Sequence, residues 1–196
     1  MRNYPRIIFT YSSVYDRRYK EMWLKEGKRN YPSPKKVLNY IKKVEKLWRK
    51  DEKKVLKELS KITHLEWRAE FIPCYVVGRC RPFSMPLTVP ICEKKDYFID
   101  VLVHELIHNL FTQNKERLKK AWNYFNKKYK TKSWTIRLHV LVHAIHSHIY
   151  FKFFGEKRLK ENIKIISFRP DYKKAWEIVE KEGYNDIISE LVERLD

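Results

Sequence analysis

The sequence contains one segment, His104-Glu105-Leu106-Ile107-His108, in which two histidines flank three residues and a glutamate follows the first histidine. On an α-helix, residues i and i+4 lie on the same face, so both imidazoles can bind one metal ion. Glu105 lies about 100° around the helix from His104, where a general base for a metal-activated water is expected. The spacing therefore predicts His104 and His108 as metal ligands and Glu105 as the catalytic residue.

The residues around this motif are almost entirely apolar, with the sequence FIDVLVHELIHNLF over positions 98–111. A helix of this composition is expected to be buried, and buried polar side chains need partners. A bound cation partners two imidazoles at once, whereas the alternative is a core helix whose histidines are satisfied by hydrogen bonds alone. We therefore expect a zinc ion, Zn²⁺, at His104 and His108.

A second histidine-rich segment, LHVLVHAIHSHIY at 138–150, is the predicted source of a third ligand. A catalytic zinc ion has three protein ligands and one open position. At about 100° per residue, one stripe of this helix carries four polar side chains, and His148 faces the opposite way. The four are His139, His143, His146 and Tyr150. His143 lies in the middle of the stripe and is the predicted third ligand.

The other members of the stripe have alternative roles. His139 and His146 are either the third ligand in place of His143, or hydrogen-bond partners around the site, or ordinary core residues. Tyr150 either donates its hydroxyl to a substrate oxyanion or is an ordinary buried aromatic residue. His148 is expected at the surface.

The three cysteines, Cys74, Cys80 and Cys92, predict a reducing environment, because an odd number without a CxxC pair does not form a disulfide framework. Together with His64 they match no familiar zinc-finger spacing, so buried thiols are preferred over a second zinc site. The first residues lack the apolar core of a signal peptide. The uncharged stretch at 138–151, interrupted only by histidines, is shorter than a bilayer span of about 20 residues. We therefore expect a cytoplasmic protein without a membrane partner.

The net charge is +19, from 43 lysines and arginines against 24 aspartates and glutamates. Such an excess is typical of proteins that contact nucleic acid or another polyanion. The alternative is a charged surface adapted to high temperature, which the single glutamine, Gln113, favours. Both interpretations stay open at this point.

Hydrophobic periodicity predicts the elements that must position these residues. β-branched and aromatic residues predict a strand at 6–13, and residues 66–90 are strand-like but interrupted by four prolines, which favours edge strands and irregular loops. Asp96 is the predicted cap of the motif helix at 97–111, and the histidine-rich helix covers 133–153. Further helices are predicted at 15–25, 34–48, 51–62, 115–129, 172–182 and from 185 onward.

The HELIH motif at 104–108 resembles the active-site helix of the zincin metallopeptidases. This resemblance, over roughly residues 66–154, implies an α+β zincin-like fold: a small, twisted, mostly antiparallel sheet, the active-site helix and a helical C-terminal lobe. In this family an antiparallel edge strand upstream of the helix binds extended peptide, and the segments EWRAEFIPCYVVGRC and PLTVPI stand at that place. The family roles imply that His104 and His108 bind zinc, that Glu105 is general base and acid, and that the substrate is a peptide or protein.

The sequence departs from the named zincin groups after the motif. A metzincin continues HExxHxxGxxH, and NLFTQ at 109–113 has neither that glycine nor that histidine. A gluzincin takes its third ligand from a glutamate on a later helix, where this chain offers His143. The layout is therefore similar to minimal gluzincin-like peptidases. A weaker likeness is to SprT-type proteases, which act on DNA-bound proteins, but their downstream HG element is missing. The alternative function is thus a nucleic-acid-binding protein or a DNA-associated protease on a zincin scaffold.

The C-terminal tail differs in charge from the rest of the chain. Residues 173–196 contain four basic and seven acidic side chains. We predict a zincin-like domain at 1–170 and an acidic helical segment at 171–196 packed on it by apolar side chains and by charge. The alternative is an inhibitory segment that shields the cleft, with Asp171 at the open zinc position.

Overall fold

The computed structural model describes residues 4–196 and has an α+β fold. The elements in chain order are β1 Arg6–Thr10, α1 Ser13–Lys25, α2 Pro34–Thr63, β2 Phe71–Val77, β3 Phe83–Ser84, β4 Leu87–Pro90, α3 Lys95–Gln113, α4 Lys119–Lys128, α5 Trp134–Ile149, a π-helical turn Tyr150–Phe154, α6 Glu156–Ile166, α7 Pro170–Glu182 and α8 Tyr184–Val192.

The chain divides into two compact units, which are described separately. The first unit consists of the chain up to Lys54 together with Arg68–Asn109, and it holds the four strands and the HELIH motif. The second consists of Val55–Trp67 and Leu110–Asp196, and it holds the histidine-rich helix. The predicted division into 1–170 and 171–196 stays a prediction.

The sheet of the first unit has the strand order β1-β2-β4-β3 and is mixed. β1 pairs parallel with β2, β2 pairs parallel with β4, and only β3 and β4 are antiparallel. The expectation of a mostly antiparallel sheet was therefore wrong. The reason is the connections: α1 and α2 carry the chain back before β2, which permits parallel pairing, whereas only the short turn between β3 and β4 requires antiparallel pairing.

The proline-rich strands also differ from expectation, because β2 and β4 are interior strands. Pro73 lies opposite Ile8 of β1, but β4 pairs with β2 only at Tyr75–Val77. The missing N–H of Pro73 therefore lies in a part of β2 that has a strand on one side only, where proline is tolerated.

Helix α2 is a single helix of 30 residues, where the periodicity predicted two. The expected break near residue 50 does not form, because no glycine or proline is there and Arg49 pairs with both Glu45 and Glu52, at 2.7 and 2.5 Å. Its apolar face, including Val37, Val44 and Trp48, is fully buried in the first unit.

The second unit is helical, and α5 is its most buried element. Eleven of the sixteen residues of α5 are buried, and α7 and α8 pack against it. α6 follows the π-helical turn and Gly155 at φ 86° and was not predicted. Within residues 4–196, no helix combines the length and the apolar character that crossing a bilayer requires.

Candidate metal centre

The two histidines of the HELIH motif lie side by side on α3, in the first unit. Their Nε2 atoms are 3.2 Å apart and their ring centroids 4.9 Å apart. Both side chains are half-buried. The i, i+4 spacing therefore brings two ring nitrogens to one point, as the sequence predicts.

The separation of these nitrogens tests whether the pair fits a metal. Zinc–nitrogen bonds of about 2.0–2.1 Å at a tetrahedral angle place two ligand nitrogens about 3.3 Å apart. The observed 3.2 Å agrees with this value. The same distance also suits a hydrogen bond between one protonated and one unprotonated nitrogen. The pair is therefore a chemically suitable half of a zinc site.

Glu105 lies beside this pair and is only 6% exposed. Its carboxylate charge acts on Cys80, whose pKa rises to about 12 through burial first and then through Glu105 and other neighbours. Cys80 consequently stays a neutral thiol near neutral pH. The nearly buried carboxylate of Glu105 thus belongs to the residue that directly follows the half-buried His104.

Asn109 connects the end of the motif to the sheet within the first unit. Its side-chain Nδ2 donates to the backbone carbonyl of Ser84 at 3.0 Å. Ser84 belongs to β3, which is one of the two edge strands of the sheet. This bond fixes the edge strand beside the helix turn that carries His108. Asn109 was not among the predicted site residues, although an asparagine directly after HELIH in an apolar segment was a signal in the sequence.

The second unit holds the histidines of α5, and a backbone carbonyl sets the tautomer of His139. Its Nδ1 lies 2.7 Å from the backbone carbonyl of Thr135, one turn earlier. A carbonyl can only accept, so Nδ1 carries the proton and Nε2 carries the lone pair. A second-sphere hydrogen bond of this kind is what metal-ligating histidines usually make. His139 is thus prepared to ligate through Nε2.

His143 is held by aromatic packing. It is 0% exposed, and its ring stacks on Trp176 of α7 with centroids 4.1 Å apart and planes inclined by 10°. Tyr172 of α7 contacts both His139 and His143, at centroid distances of 4.1 and 5.7 Å. The structure thus brings His139 and His143 together under α7. The prediction that His143 is a zinc ligand stays a prediction.

His146 and Tyr150 form the lower end of the stripe, with ring centroids 4.6 Å apart. Burial, and then the charge of Arg158, lowers the pKa of His146 from 6.5 to about 3. His146 is therefore neutral at any physiological pH. Tyr150 is fully buried, and its predicted role toward a substrate stays a prediction.

His148, expected at the surface, is half-buried and paired. Its Nε2 lies 2.9 Å from Oε1 of Glu58, and Lys152 Nζ lies 2.7 Å from the same oxygen. Burial acts to raise the pKa of Glu58, but the hydrogen bonds from Lys152 and His148 outweigh it and the pKa is lowered. His148 and Lys152 therefore both contact one buried carboxylate in the second unit.

The remaining candidates lie outside this arrangement. The three cysteines are free thiols; Cys74 is buried, and Cys80 and Cys92 are half-buried. His64 is exposed at φ 53°, and its carbonyl accepts from Arg117 at 2.8 Å. Asp171, considered for the open zinc position, accepts a hydrogen bond from the Ser133 hydroxyl at 3.0 Å.

No protein-family model, curated protein or solved structure matches this chain. The resemblance to zincins therefore rests on the residues described above. Function has to be argued from the geometry and chemistry of the side chains themselves.

Proposed function

We propose that the protein is a zinc-dependent metallopeptidase in which His104 and His108 bind the metal and Glu105 is the general base. The observation that carries the proposal is the 3.2 Å separation of the two Nε2 atoms, with a nearly buried carboxylate on the residue after His104. A purely structural helix has no need for this combination, because each buried polar group costs free energy unless it is paired.

The proposed third ligand is His139. Its Nδ1 proton is committed to Thr135, which leaves Nε2 as the ligand atom. The stacking of His143 on Trp176 suits a positioning residue behind His139. His143 and His146 are the alternatives for the third position, and the same mutants test all three.

The proposed reaction is hydrolysis of a peptide bond. Bound zinc supplies Lewis acidity, which polarises the scissile carbonyl and makes water easier to deprotonate. A carboxylate oxygen of Glu105 takes one proton from the attacking water as its oxygen bonds to the carbonyl carbon. Glu105 then gives that proton to the leaving nitrogen as the carbon–nitrogen bond breaks. The products are a free carboxyl group and a free amine.

An extended peptide or protein segment is the proposed substrate. β3 is an edge strand, and an edge strand can pair with an added peptide strand through its backbone groups. Asn109 ties β3 to the turn of α3 that carries His108, so a peptide along β3 would run beside the motif. The cleavage preference is a question for substrate profiling.

The test is the Glu105→Gln variant, which keeps the shape of the side chain and removes the base. We expect about one zinc per chain in both proteins by elemental analysis, and a rate of unfolded-protein cleavage about 100-fold to 10,000-fold lower in the variant. Glu161→Gln, at an exposed site on α6, is the matched control and should retain full activity. Retained activity in Glu105→Gln would refute the mechanism.

Nucleic-acid binding is the second candidate function, and the net charge of +19 favours it. Binding to the phosphate backbone weakens steeply with salt. We expect binding that persists at physiological salt if the charge serves a polynucleotide, and binding only at low salt if it serves heat adaptation alone. Localisation in the cytoplasm stays a prediction.

A further inference from the structure

A cavity of about 680 Å³ lies in the first unit, away from the HELIH motif. It is formed by the start of α2 and by the segment that leads from β4 into α3. Its lining residues are Ser33, Lys35, Lys36, Asn39, Tyr40, Lys43, Arg79, Ile91, Cys92, Glu93 and Lys95. The volume is in the range of small-molecule sites, which is about 300–1,000 Å³.

The cavity is strongly basic. Five of the lining side chains are cationic and one, Glu93, is anionic, which leaves a net charge of +4. None of the five cations forms an ion pair with any residue in 4–196, and the Arg79 guanidinium donates only weakly to the carbonyl of Ile91, at 3.5 Å. Elsewhere on α2, by contrast, Arg49 and Lys54 have acidic partners. Like charges in one concavity repel each other and attract an anion.

The start of α2 adds further positive charge to this cavity. The N-terminus of a helix carries a partial positive charge, and acidic residues normally occupy the first turn. The first turn of α2 contains no acidic residue and instead has Lys35 and Lys36. Ser33 Oγ caps the helix by accepting from the Lys36 N–H at 3.3 Å. Cations at the positive end of a 30-residue helix destabilise it unless an anion is bound nearby.

Tyr40 supplies a neutral donor in the same cavity. Its oxygen accepts from the Cys92 N–H at 3.2 Å, and its ring packs edge-on against Phe98, which fixes the side chain. Burial raises the pKa of Tyr40, so the hydroxyl keeps its proton. The cavity thus presents cationic donors and the Tyr40 hydroxyl against a single carboxylate.

We propose that this cavity binds an anion with two or three linked phosphate groups. A phosphate group carries about −1.5 to −2 at pH 7, so the net charge of +4 matches about two phosphates better than one. The basic lining excludes a metal cation, and the density of charge disfavours an apolar ligand. Inorganic pyrophosphate or tripolyphosphate and a nucleoside diphosphate share this chemistry. The site is independent of the proposed zinc centre.

The experiment is calorimetric titration of the full chain with pyrophosphate, tripolyphosphate and ADP at low ionic strength without added metal. We expect binding that weakens about 100-fold in Lys36→Ala/Lys43→Ala, because hydrogen bonds from two charged groups are lost. Lys42→Ala/Lys46→Ala removes the same charge from exposed positions of α2 outside the cavity and should change affinity less than about twofold. Ligand should also raise the melting temperature of the wild type.

The outcomes distinguish the sources of the anion. Tighter binding of ADP than of pyrophosphate assigns a nucleotide, and equal binding assigns the inorganic anion; both support the proposal. Equal weakening in the two double variants would refute it, since binding would then follow net charge alone. Binding of an oligonucleotide but not of ADP or tripolyphosphate would also refute it. A His104→Ala protein should bind the anion normally, which separates this site from the zinc centre.

Discussion

Helices α3 and α5 both carry histidines at i, i+4 spacing, but their side chains are held in different ways. On α3, His104 and His108 are half-buried and their Nε2 atoms approach to 3.2 Å. On α5, the ring centroids of His139 and His143 are 5.5 Å apart, and both rings pack against aromatic residues of α7. The same spacing thus produces a converging pair in one unit and a supported, buried row in the other.

The spacing of two histidines alone therefore does not identify a metal ligand. Convergence of nitrogen atoms favours a role in binding, whereas stacking on an aromatic ring favours a role in positioning. His139 has features of both, because its Nδ1 is held by Thr135 while its ring touches Tyr172. Mutations that separate metal binding from packing therefore distinguish these two roles.

The largest expected effect is on zinc affinity. His104→Ala, His108→Ala and His139→Ala should each lower it more than about 100-fold, since loss of even an outer-sphere partner costs about 10–100-fold. His143→Ala should lower it about 10-fold or less, through loss of support for His139. Competition with a chromogenic chelator measures all four. His64→Asn, at an exposed position that tolerates positive φ, is the control.

The opposite order of zinc affinities among these variants would change the assignment of the third ligand. If His143→Ala abolishes zinc binding while His139→Ala preserves it, then His143 is the third ligand as the sequence stripe suggested. If His104→Ala and His108→Ala both retain full zinc affinity, the 3.2 Å contact is a hydrogen bond between two imidazoles and the metal centre is refuted.

The second effect is on stability and concerns the support of α5. Trp176 is 5% exposed and stacks on His143, so Trp176→Ala should lower the free energy of unfolding by about 3–5 kcal/mol. Trp134, in the same unit, is 53% exposed, and Trp134→Ala should cost less than about 1 kcal/mol. Urea denaturation measures both. Similar losses in the two variants would mean that the stack on His143 is not a principal packing contact.

Local signals predicted the motif and most helices, because HELIH and the caps are short-range features. Ser12, Ser33 and Ser133 each accept a hydrogen bond from a backbone N–H in the first turn of a helix. Asp96, in contrast, lies inside the first turn of α3, which begins at Lys95. An acidic residue favours the start of a helix either as its cap or within its first turn. The sequence does not distinguish these two positions.

Features set by distant residues were not predictable. The parallel pairing of β2 with β4 depends on how the chain returns through β3, which no local pattern encodes. The pairing of His148 with Glu58 joins residues 90 positions apart. The helical wheel correctly placed His148 on a face of its own, but it could not show that a buried carboxylate lies there.

The third effect is the pH dependence of stability from His146. Its pKa is about 3 in the folded protein, through burial and then Arg158, and 6.5 when unfolded. Between these values the unfolded chain binds a proton that the folded protein does not, so stability is present above pH 6.5 and is lost as pH falls. We expect a loss of roughly 2 kcal/mol between pH 6.5 and 5.

The His146→Gln variant removes this titration and should flatten the stability profile over the same interval. The readout is the slope of the free energy of unfolding against pH, because the variant can differ in absolute stability for reasons of packing. Denaturant midpoints at several pH values measure it, and an unchanged slope in the variant would assign the pH dependence to other groups.

The smallest effect tests how α5 begins. The Ser133 hydroxyl oxygen accepts from the Ile136 N–H at 3.2 Å, and the hydroxyl proton is donated to Asp171 at 3.0 Å. Ser133→Ala loses both bonds and should cost about 1 kcal/mol, as N-cap serines generally do. Asp171→Asn keeps an acceptor for the hydroxyl and should cost less than about 0.5 kcal/mol. If Asp171→Asn costs as much as Ser133→Ala, the contact between α5 and the start of α7 matters more than the cap. The charge of Asp171 would then belong to the support of His139 and His143, because Tyr172, the next residue, contacts both rings.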